Sequence, residues 1–186
     1  MALEAETELF MSIESRMGDR ALEEAVKEGR YDFHKVMQIC TSFSQRRRSR
    51  RGQSLENHFR FLLEELRIPH SYQCTTERGR KPDFVFPSCE HYHNPGFPAS
   101  HLRMVGCKTL VRERHTQWLG EALRIPLKYA LCVDPGLSDR LVARYRKRLR
   151  FFLPRRLLDA TYADREIGGL LGSIDDLLDE LRLLAP

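Results

Sequence analysis

The chain has 186 residues, 41% of them hydrophobic, which is enough for one domain with a buried core. It contains no apolar run of about 18 residues or more. Its first residues, MALEAETELF, lack the basic and apolar parts of a signal peptide. These features argue against membrane-spanning and secreted proteins, and they predict a soluble, intracellular protein.

The formal net charge is +5, and much of the positive charge lies in two short stretches. QRRRSRR (45–51) holds five arginines in seven residues, and RYRKRLR (144–150) holds five basic side chains. Such clusters are typical of proteins that bind polyanions. For the second cluster alone, a solvated helix face or a localisation signal is the simpler interpretation.

The first third of the chain predicts helices. Short helices are expected over 6–17 and 19–29, and apolar residues at helical spacing predict a third over 31–47. After Gly52, SLENHFRFLLEEL (54–66) begins with a serine and continues as an amphipathic stripe, which predicts a separate helix.

The rest of the chain alternates between strand and helix patterns. Aromatic and β-branched segments bounded by proline, glycine or turns predict five strands, at 70–75, 81–87, 101–111, 127–133 and 150–154. Helices are expected over 116–125, 137–149 and 173–184. This alternation predicts an α/β fold with a mixed five-stranded sheet flanked by helices and a helical N-terminal region. We expect a single domain over 1–186, comprising a helical part (1–50), a core (51–155) and C-terminal helices (156–186).

Two charged residues lie in apolar strand patterns. Asp83 precedes Phe84 in KPDFVF, and Lys108 follows 25 residues later in MVGCKTLV, on the same strand face as Met104 and Gly106. Buried charges are expected to pair with each other or with a metal. A structural ion pair, or a lysine that protects a sheet edge, explains the two residues equally well at this stage.

The cysteines form no recognisable site in the sequence. They are odd in number, scattered and without a CxxC pair, which predicts free thiols rather than a disulfide framework or a zinc knuckle: Cys40, Cys74, Cys89, Cys107 and Cys132. Cys89, His91 and His93 in CEHYHNP look like metal ligands, but no second cluster with zinc spacing completes them. A loop with surface histidines is the expectation.

The KPD motif followed by Lys108 resembles the PD-(D/E)xK nucleases, although Gly106 occupies the position of the usual second acid. One subgroup of restriction endonucleases moves this acid to the next helix, where Glu121 follows Lys108 by 13 residues. Together with QRRRSRRGQSLE, HNPGFP, HLRMVGCKT and WLGEALRIPLKYAL, these blocks cover about residues 44–133. The chain thus resembles the type II restriction endonucleases of the EcoRII C-terminal and PspGI group.

The resemblance implies a restriction-endonuclease-like core, a prokaryotic cytoplasmic location and a role in a restriction-modification system. Its implied catalytic residues are Glu56, Asp83, Lys108 and Glu121. Asp83 and Glu121, with Glu56 as a further ligand, suit Mg²⁺, with Mn²⁺ as a substitute, because these ions prefer hard oxygen ligands. Lys108 would hold the attacking water or balance the developing charge. The expected products carry 5′-phosphates.

A DNA-reading element is expected directly after the lysine. Arg112, Glu113 and Arg114 follow Lys108 at a four-residue offset, and arginine and glutamate can read guanine and cytosine edges. A solvated charge cluster is the alternative when the triplet is considered alone. The resemblance adds Gln45 and Arg47 as DNA-binding residues and implies a short C·G-rich palindrome such as CCWGG, CCNGG or CCGG.

The expected partner is double-stranded DNA, bound by a homodimer because a palindrome offers two equivalent half-sites. Neither a membrane nor an organic cofactor is expected. The resemblance also implies that nucleotides are flipped into a pocket of the N-terminal helices, with Phe10, Met11 and Arg16 as candidates. Two alternative functions remain: a repair or structure-specific nuclease of the same superfamily, and a catalytically silent DNA-binding module.

Overall fold

The computed structural model describes the backbone of residues 2–27, 29–111 and 115–184. The described chain divides into two compact units, Met1–Arg51 and Gly52–Pro186. They are called the N-terminal unit and, because all the residues expected to be catalytic belong to it, the catalytic unit. The helices are α1 (Ala2–Glu23), α2 (Phe33–Glu65), α3 (Cys89–His93), α4 (His115–Leu119), α5 (Asp139–Tyr145), α6 (Arg155–Thr161) and α7 (Ile174–Arg182). The strands are β1 (Val26–Lys27), β2 (Arg30–Tyr31), β3 (Ser71–Tyr72), β4 (Phe84–Phe86), β5 (Arg103–Lys108), β6 (Lys128–Cys132), β7 (Leu149–Leu153) and β8 (Gly172–Ser173).

The N-terminal unit differs from the expected series of short helices. One helix, α1, covers the first of the two predicted helices and the first five residues of the second. Val26 and Lys27, also predicted as helical, instead pair with Tyr31 and Arg30 in a short antiparallel ribbon. Gly29 lies in this ribbon with a φ of +74°, a left-handed conformation that glycine adopts without strain.

Helix α2 runs without a break from Phe33 to Glu65, although the sequence predicts a boundary near Gly52. A glycine inside a helix lowers its stability by about 1 kcal/mol but does not remove a backbone hydrogen bond. Ser54 therefore lies inside the helix and does not cap a new one. None of the helices in the described residues is both long enough and apolar enough to cross a membrane.

The catalytic unit is built on a mixed sheet, as expected. Within the described residues its order is β3-β4-β5-β6-β7-β8, six strands rather than the predicted five. The first two pairings are antiparallel and the last three are parallel. The five predicted segments each contain a strand, and the additional strand, β8, is the dipeptide Gly172–Ser173, too short to leave a strand pattern.

Two hydrophobic clusters lie in the catalytic unit, and alternate strand residues contribute to each. One contains Val85, Met104 and Phe151, and the other contains Phe84, Val105 and Phe152. Lys108 is an even number of residues from Met104 along β5 and therefore lies on the same face of the strand. The alternation of the two clusters thus confirms that Lys108 lies on the opposite face from Val105. Helix α2 contributes Phe59 and Leu63 to the second cluster. Helix α7 contributes Leu177, Leu178 and Leu181 to the same cluster.

Candidate active site

Asp83 and Lys108 lie together at the junction of β4 and β5. Asp83 immediately precedes β4, Lys108 is the last residue of β5, and the Phe84–Val105 pairing brings the two strands into register. The Lys108 Nζ atom lies 3.7 Å from Asp83 Oδ2, and the Cys107 amide donates to the same oxygen at 2.6 Å. Burial raises the pKa of the Asp83 carboxyl, while Lys108 and the Cys107 amide oppose the increase.

Trp118 explains why a glycine occupies position 106. A Cβ atom placed on Gly106 would lie 2.1 Å from Nε1 of Trp118, an indole that is 1% exposed. An acid at position 106 would therefore collide with the core. In this chain the space beside the usual second-acid position is filled by Trp118.

Glu121 is the carboxylate that the fold brings to this region. The sequence predicts it on a helix over 116–125, but α4 ends at Leu119 and Glu121 lies in the bend that follows. Its side chain accepts a hydrogen bond from Gln117 Nε2 at 2.9 Å. Burial raises the pKa of Glu121, Gln117 opposes the increase, and the Asp83 charge adds to it.

The bend after Glu121 is held by a buried lysine that sequence reasoning did not single out. Ala122 has a φ of +45°, an unfavourable conformation for a residue with a side chain. Lys128, 3% exposed, donates from Nζ to the carbonyls of Ala122 and Ile125. Lys128 thus satisfies two carbonyls of this tight turn and helps to set the position of Glu121.

Glu56 comes from the last third of α2 and faces the same group of charges. The hydroxyl of Tyr72 in β3 donates to Glu56 Oε2 at 2.8 Å. Burial raises the pKa of Glu56, the nearby Asp83 carboxylate raises it further, and Tyr72 and Lys108 oppose the increase. The structure therefore brings Glu56, Asp83, Lys108 and Glu121 into one electrostatic cluster within the catalytic unit.

The carboxylate oxygens of these residues are chemically suited to a hard divalent cation. All three carboxyl pKa values are raised although Lys108 acts on each of them, so an added positive charge would relieve their repulsion. Carboxylate oxygens are the ligands that Mg²⁺ and Mn²⁺ prefer. Asp83 and Glu121, with Glu56 as a further ligand, are the residues that would hold the ion.

A basic cavity of about 460 Å³ adjoins Glu121. Its walls are Arg80, Lys81, Thr116, Gln117 and Glu121. Arg80 lies over Gly120, which leaves room for its guanidinium because it has no side chain. Lys81 belongs to the KPD motif, but nothing in the sequence pattern distinguishes Arg80, whose proximity to Glu121 depends on the fold.

In the N-terminal unit, part of the arginine cluster is anchored to a buried acid. Glu14 is 7% exposed and forms ion pairs with Arg47 and Arg50. The Arg50 guanidinium lies over the Phe10 ring, 4.9 Å from its centroid. A cavity of about 310 Å³ is lined by Phe10, Met11, Glu14, Arg47, Arg50 and Arg51.

Of the three residues suggested for a nucleotide pocket, Phe10 and Met11 line this cavity and Arg16 is not among the lining residues. Gln45 is exposed on α2. Arg112, Glu113 and Arg114 lie outside the described residues, so the structure does not test their expected role as a DNA-reading element.

The prediction of free thiols is wrong for one pair. Cys74 and Cys89, 15 residues apart, are joined in a disulfide with their Cα atoms 5.5 Å apart, whereas Cys40, Cys107 and Cys132 are free. The pairing of β3 with β4 brings the flanking segments together. Sequence spacing gave no sign of this contact because it depends on the register of the two strands.

Comparison with known proteins places the chain in a family. The family model described as "EcoRII C terminal" matches residues 10–178. The chain belongs to the EcoRII C-terminal family. The type II restriction enzyme EcoRII of Escherichia coli is 37% identical over 123 residues, which are 66% of this chain and 30% of EcoRII. The chain thus matches less than a third of EcoRII.

Two solved restriction endonucleases share the fold. Metal-depleted Ecl18kI in complex with uncleaved, modified DNA superposes with a TM-score of 0.79 and 20% identity, covering 95% of this chain and 64% of Ecl18kI. The complex of PspGI with substrate DNA superposes with a TM-score of 0.74 and 19% identity, covering 96% of this chain and 75% of PspGI. The restriction-endonuclease-like fold and the resemblance inferred from the motifs are confirmed.

Proposed function

We propose that this chain is a type II restriction endonuclease that hydrolyses phosphodiester bonds in double-stranded DNA with Mg²⁺. The observation that carries this proposal is the pairing of Asp83 with Lys108 beside Glu121 and Glu56. A partly exposed acid and lysine at the ends of neighbouring strands, with two further carboxylates near them, suit the hydrolysis of a phosphodiester better than a simple ion pair.

The residues divide the chemistry between them. Asp83 and Glu121 would hold the cation, and the Cys107 amide keeps the Asp83 carboxylate in place. Lys108 reaches toward Asp83 and holds the attacking water, or balances negative charge that develops on the phosphate. When bound, the cation makes its coordinated water more acidic and stabilises negative charge on the phosphate.

The proposed target is a short C·G-rich palindrome of the CCWGG, CCNGG or CCGG type. Arg112, Glu113 and Arg114 would read base edges, because arginine matches the two major-groove acceptors of guanine and glutamate accepts from the cytosine amino group. Gln45 and Arg47 would contribute further DNA contacts from exposed positions on α2. EcoRII, a type II restriction enzyme, and the DNA-bound Ecl18kI and PspGI support a DNA substrate.

The cavity of the N-terminal unit suits a nucleotide that leaves the duplex. Phe10 offers an aromatic face, Arg50 a planar guanidinium and Glu14 a buried carboxylate. A flipped base is recognised through stacking and through hydrogen bonds to its edge, and these groups supply both.

A homodimer would place one such chain on each half-site.

The deciding experiment incubates the protein with Mg²⁺ and a plasmid of known sequence. We expect discrete fragments whose ends, once sequenced, fall in C·G-rich palindromes and carry 5′-phosphates, with no fragments after chelation of the metal. Nicks without sequence preference would instead support a repair or structure-specific nuclease. Tight binding without cleavage, in the presence of Mg²⁺, would support a silent DNA-binding module.

A further inference from the structure

A second cluster of metal-ligating side chains lies outside the carboxylate site. Cys74, Cys89 and His93 each offer a ligand atom, and these three atoms lie within 4.8 Å of one another. Two are the sulfurs of the disulfide, and the third is a ring nitrogen. The cluster completes the CEHYHNP motif with a cysteine that is distant in the sequence.

The fold brings these donors together from two segments. Cys89 and His93 are four residues apart on α3, a spacing that places both side chains on one helix face. Cys74 follows β3 by two residues. The Cys89 amide donates to the Ser71 hydroxyl of β3 at 2.9 Å, which holds the start of α3 against that strand.

The imidazole of His93 already makes a hydrogen bond to the backbone through Nε2, which leaves Nδ1 as the nitrogen that would bind an ion. Its Nε2 lies 3.0 Å from the Thr75 carbonyl oxygen. Since a carbonyl can only accept, this nitrogen donates its proton in that contact. A hydrogen bond from the ring to a backbone carbonyl fixes the tautomer and the orientation of a ligating histidine.

We propose that the reduced form of this cluster is a zinc site with the Cys74 and Cys89 thiolates and the His93 imidazole as ligands. Two-electron reduction of the S–S bond by a thiol or a phosphine, with uptake of two protons, yields two thiols. Binding of Zn²⁺ then releases these protons and forms two metal–sulfur bonds, and water takes the fourth position. Thiolate and imidazole favour Zn²⁺ over the hard cations that suit carboxylates.

The distances and burial of the three residues suit such an ion. Tetrahedral zinc with bonds of about 2.3 Å to sulfur separates two thiolates by about 3.8 Å, so the two sulfurs, bonded to each other here, would move apart after reduction. Cys74 is buried, Cys89 is half-buried and His93 is exposed, so an ion can enter from solvent. Disulfide and zinc are therefore alternative links between the same two segments.

Either link closes the segment that carries Asp83. Cys74 precedes this aspartate by nine residues and Cys89 follows it by six. The ion would thus restrain the β3–β4 region while remaining outside the carboxylate cluster. This inference depends only on the cysteine and histidine positions and does not rest on the proposed nuclease activity.

The test titrates the full chain, reduced with a phosphine and freed of metal, with Co²⁺ as a spectroscopic substitute for Zn²⁺. We expect one equivalent to produce the near-ultraviolet charge-transfer absorption that arises from cobalt–thiolate bonds, and Zn²⁺ to displace it. Carboxylates do not produce this absorption, so cobalt at Asp83 or Glu121 would not be mistaken for it. The oxidised protein should not develop the band.

Matched variants assign the ligands. Cys89→Ser should abolish the absorption, and His93→Ala should weaken Co²⁺ binding at least about tenfold, since even the outer partners of metal ligands contribute that much. His91→Ala on the same helix and Cys40→Ser should leave it unchanged. His93 is exposed, so its variant remains informative if Cys89→Ser fails to fold. Absence of the band from the reduced wild type, or its full retention in His93→Ala, would overturn the proposal.

Discussion

The two units differ in how they use their apolar residues. The catalytic unit contains both hydrophobic clusters of the described chain, and they enclose the sheet. Among the described side chains of the N-terminal unit, Glu14 and Ala25 are the buried ones. Several large apolar side chains of that unit are exposed instead: Leu9, Met11, Ile13, Met17, Val26, Tyr31, Phe33 and Met37.

On the proposed function, this contrast corresponds to a division between chemistry and binding. In the catalytic unit, charged groups are held by a packed core, so their geometry is set before any ligand arrives. In the N-terminal unit, arginines and apolar side chains face outward, where they are available to a polyanion or a second chain. Substitutions at the carboxylate cluster or in the core of the first unit should therefore change catalysis or stability, and those on the surface of the second unit should change affinity.

The largest effect is expected at the carboxylate cluster. Glu121→Gln and Asp83→Asn should each reduce cleavage at least about 10³-fold, because a neutral amide neither binds the cation well nor stabilises the charge of the reaction. Binding of the same duplex, measured in Ca²⁺ or without metal, should not weaken. Glu166→Gln, an exposed glutamate of the same unit, is the control. Full cleavage by Glu121→Gln would show that this acid is wrongly assigned.

The next effect concerns Gly106, where the core excludes a side chain. Gly106→Ala places a Cβ atom 2.1 Å from the Trp118 indole, and we expect it to lower the free energy of unfolding by about 1–3 kcal/mol. Thermal unfolding should fall by several degrees. A Cβ at Gly169 meets nothing within 4 Å among the described residues, so Gly169→Ala should have little effect. Equal stability of the two variants would contradict the packing argument.

A smaller effect is expected in the arginine cluster. Arg48 is exposed on α2, and Arg48→Ala should weaken binding of specific and unrelated duplexes alike. If Arg48 neutralises one phosphate, the slope of log affinity against log salt should decrease in magnitude by about 0.9. The cleavage rate at saturating DNA should remain unchanged. Arg182→Ala, in α7, serves as the control. If Arg48→Ala lowered the cleavage rate without weakening DNA binding, the proposed division of roles between the two units would be wrong.

The smallest expected effect is an increase in stability rather than a loss. Gly52 lies inside α2 and a Cβ there meets nothing within 4 Å in the described structure, so Gly52→Ala should raise the free energy of unfolding by about 0.5–1 kcal/mol. Gly18→Ala in α1 offers a second open helical position. Chemical denaturation measures both. Destabilisation by Gly52→Ala would indicate that the helix ends there, as the sequence pattern suggests.

Local pattern predicted much of the catalytic unit correctly. Segments rich in aromatic and β-branched residues became strands, and alternation assigned Lys108 to the Met104 side of β5. The motif carrying Asp83 and Lys108 also indicated the family, which the family match confirms. The strands and the side-chain alternation could be predicted because they depend on residues that are neighbours along the chain. The catalytic and DNA-reading roles assigned by resemblance stay predictions.

Helix boundaries were predicted less well because they depend on more than the local pattern. Gly52 and Ser54 have the residue types of a helix boundary, yet α2 continues through both. In the other direction, the helix expected over 116–125 ends at Leu119, and Glu121 occupies a bend held by Lys128. Propensity is a small contribution that side-chain contacts override.

By itself, the sequence indicated five strands of the sheet, the candidates Asp83 and Lys108, and the family, since these follow from residue types and motifs along the chain. Only the tertiary structure decided why Gly106 carries no acid, and which residue joins Cys89 and His93. Trp118 fills the space at Gly106 from a segment 12 residues away, and Cys74 reaches α3 through the pairing of β3 with β4. Contacts of this kind depend on packing and strand register, which no single stretch of sequence contains.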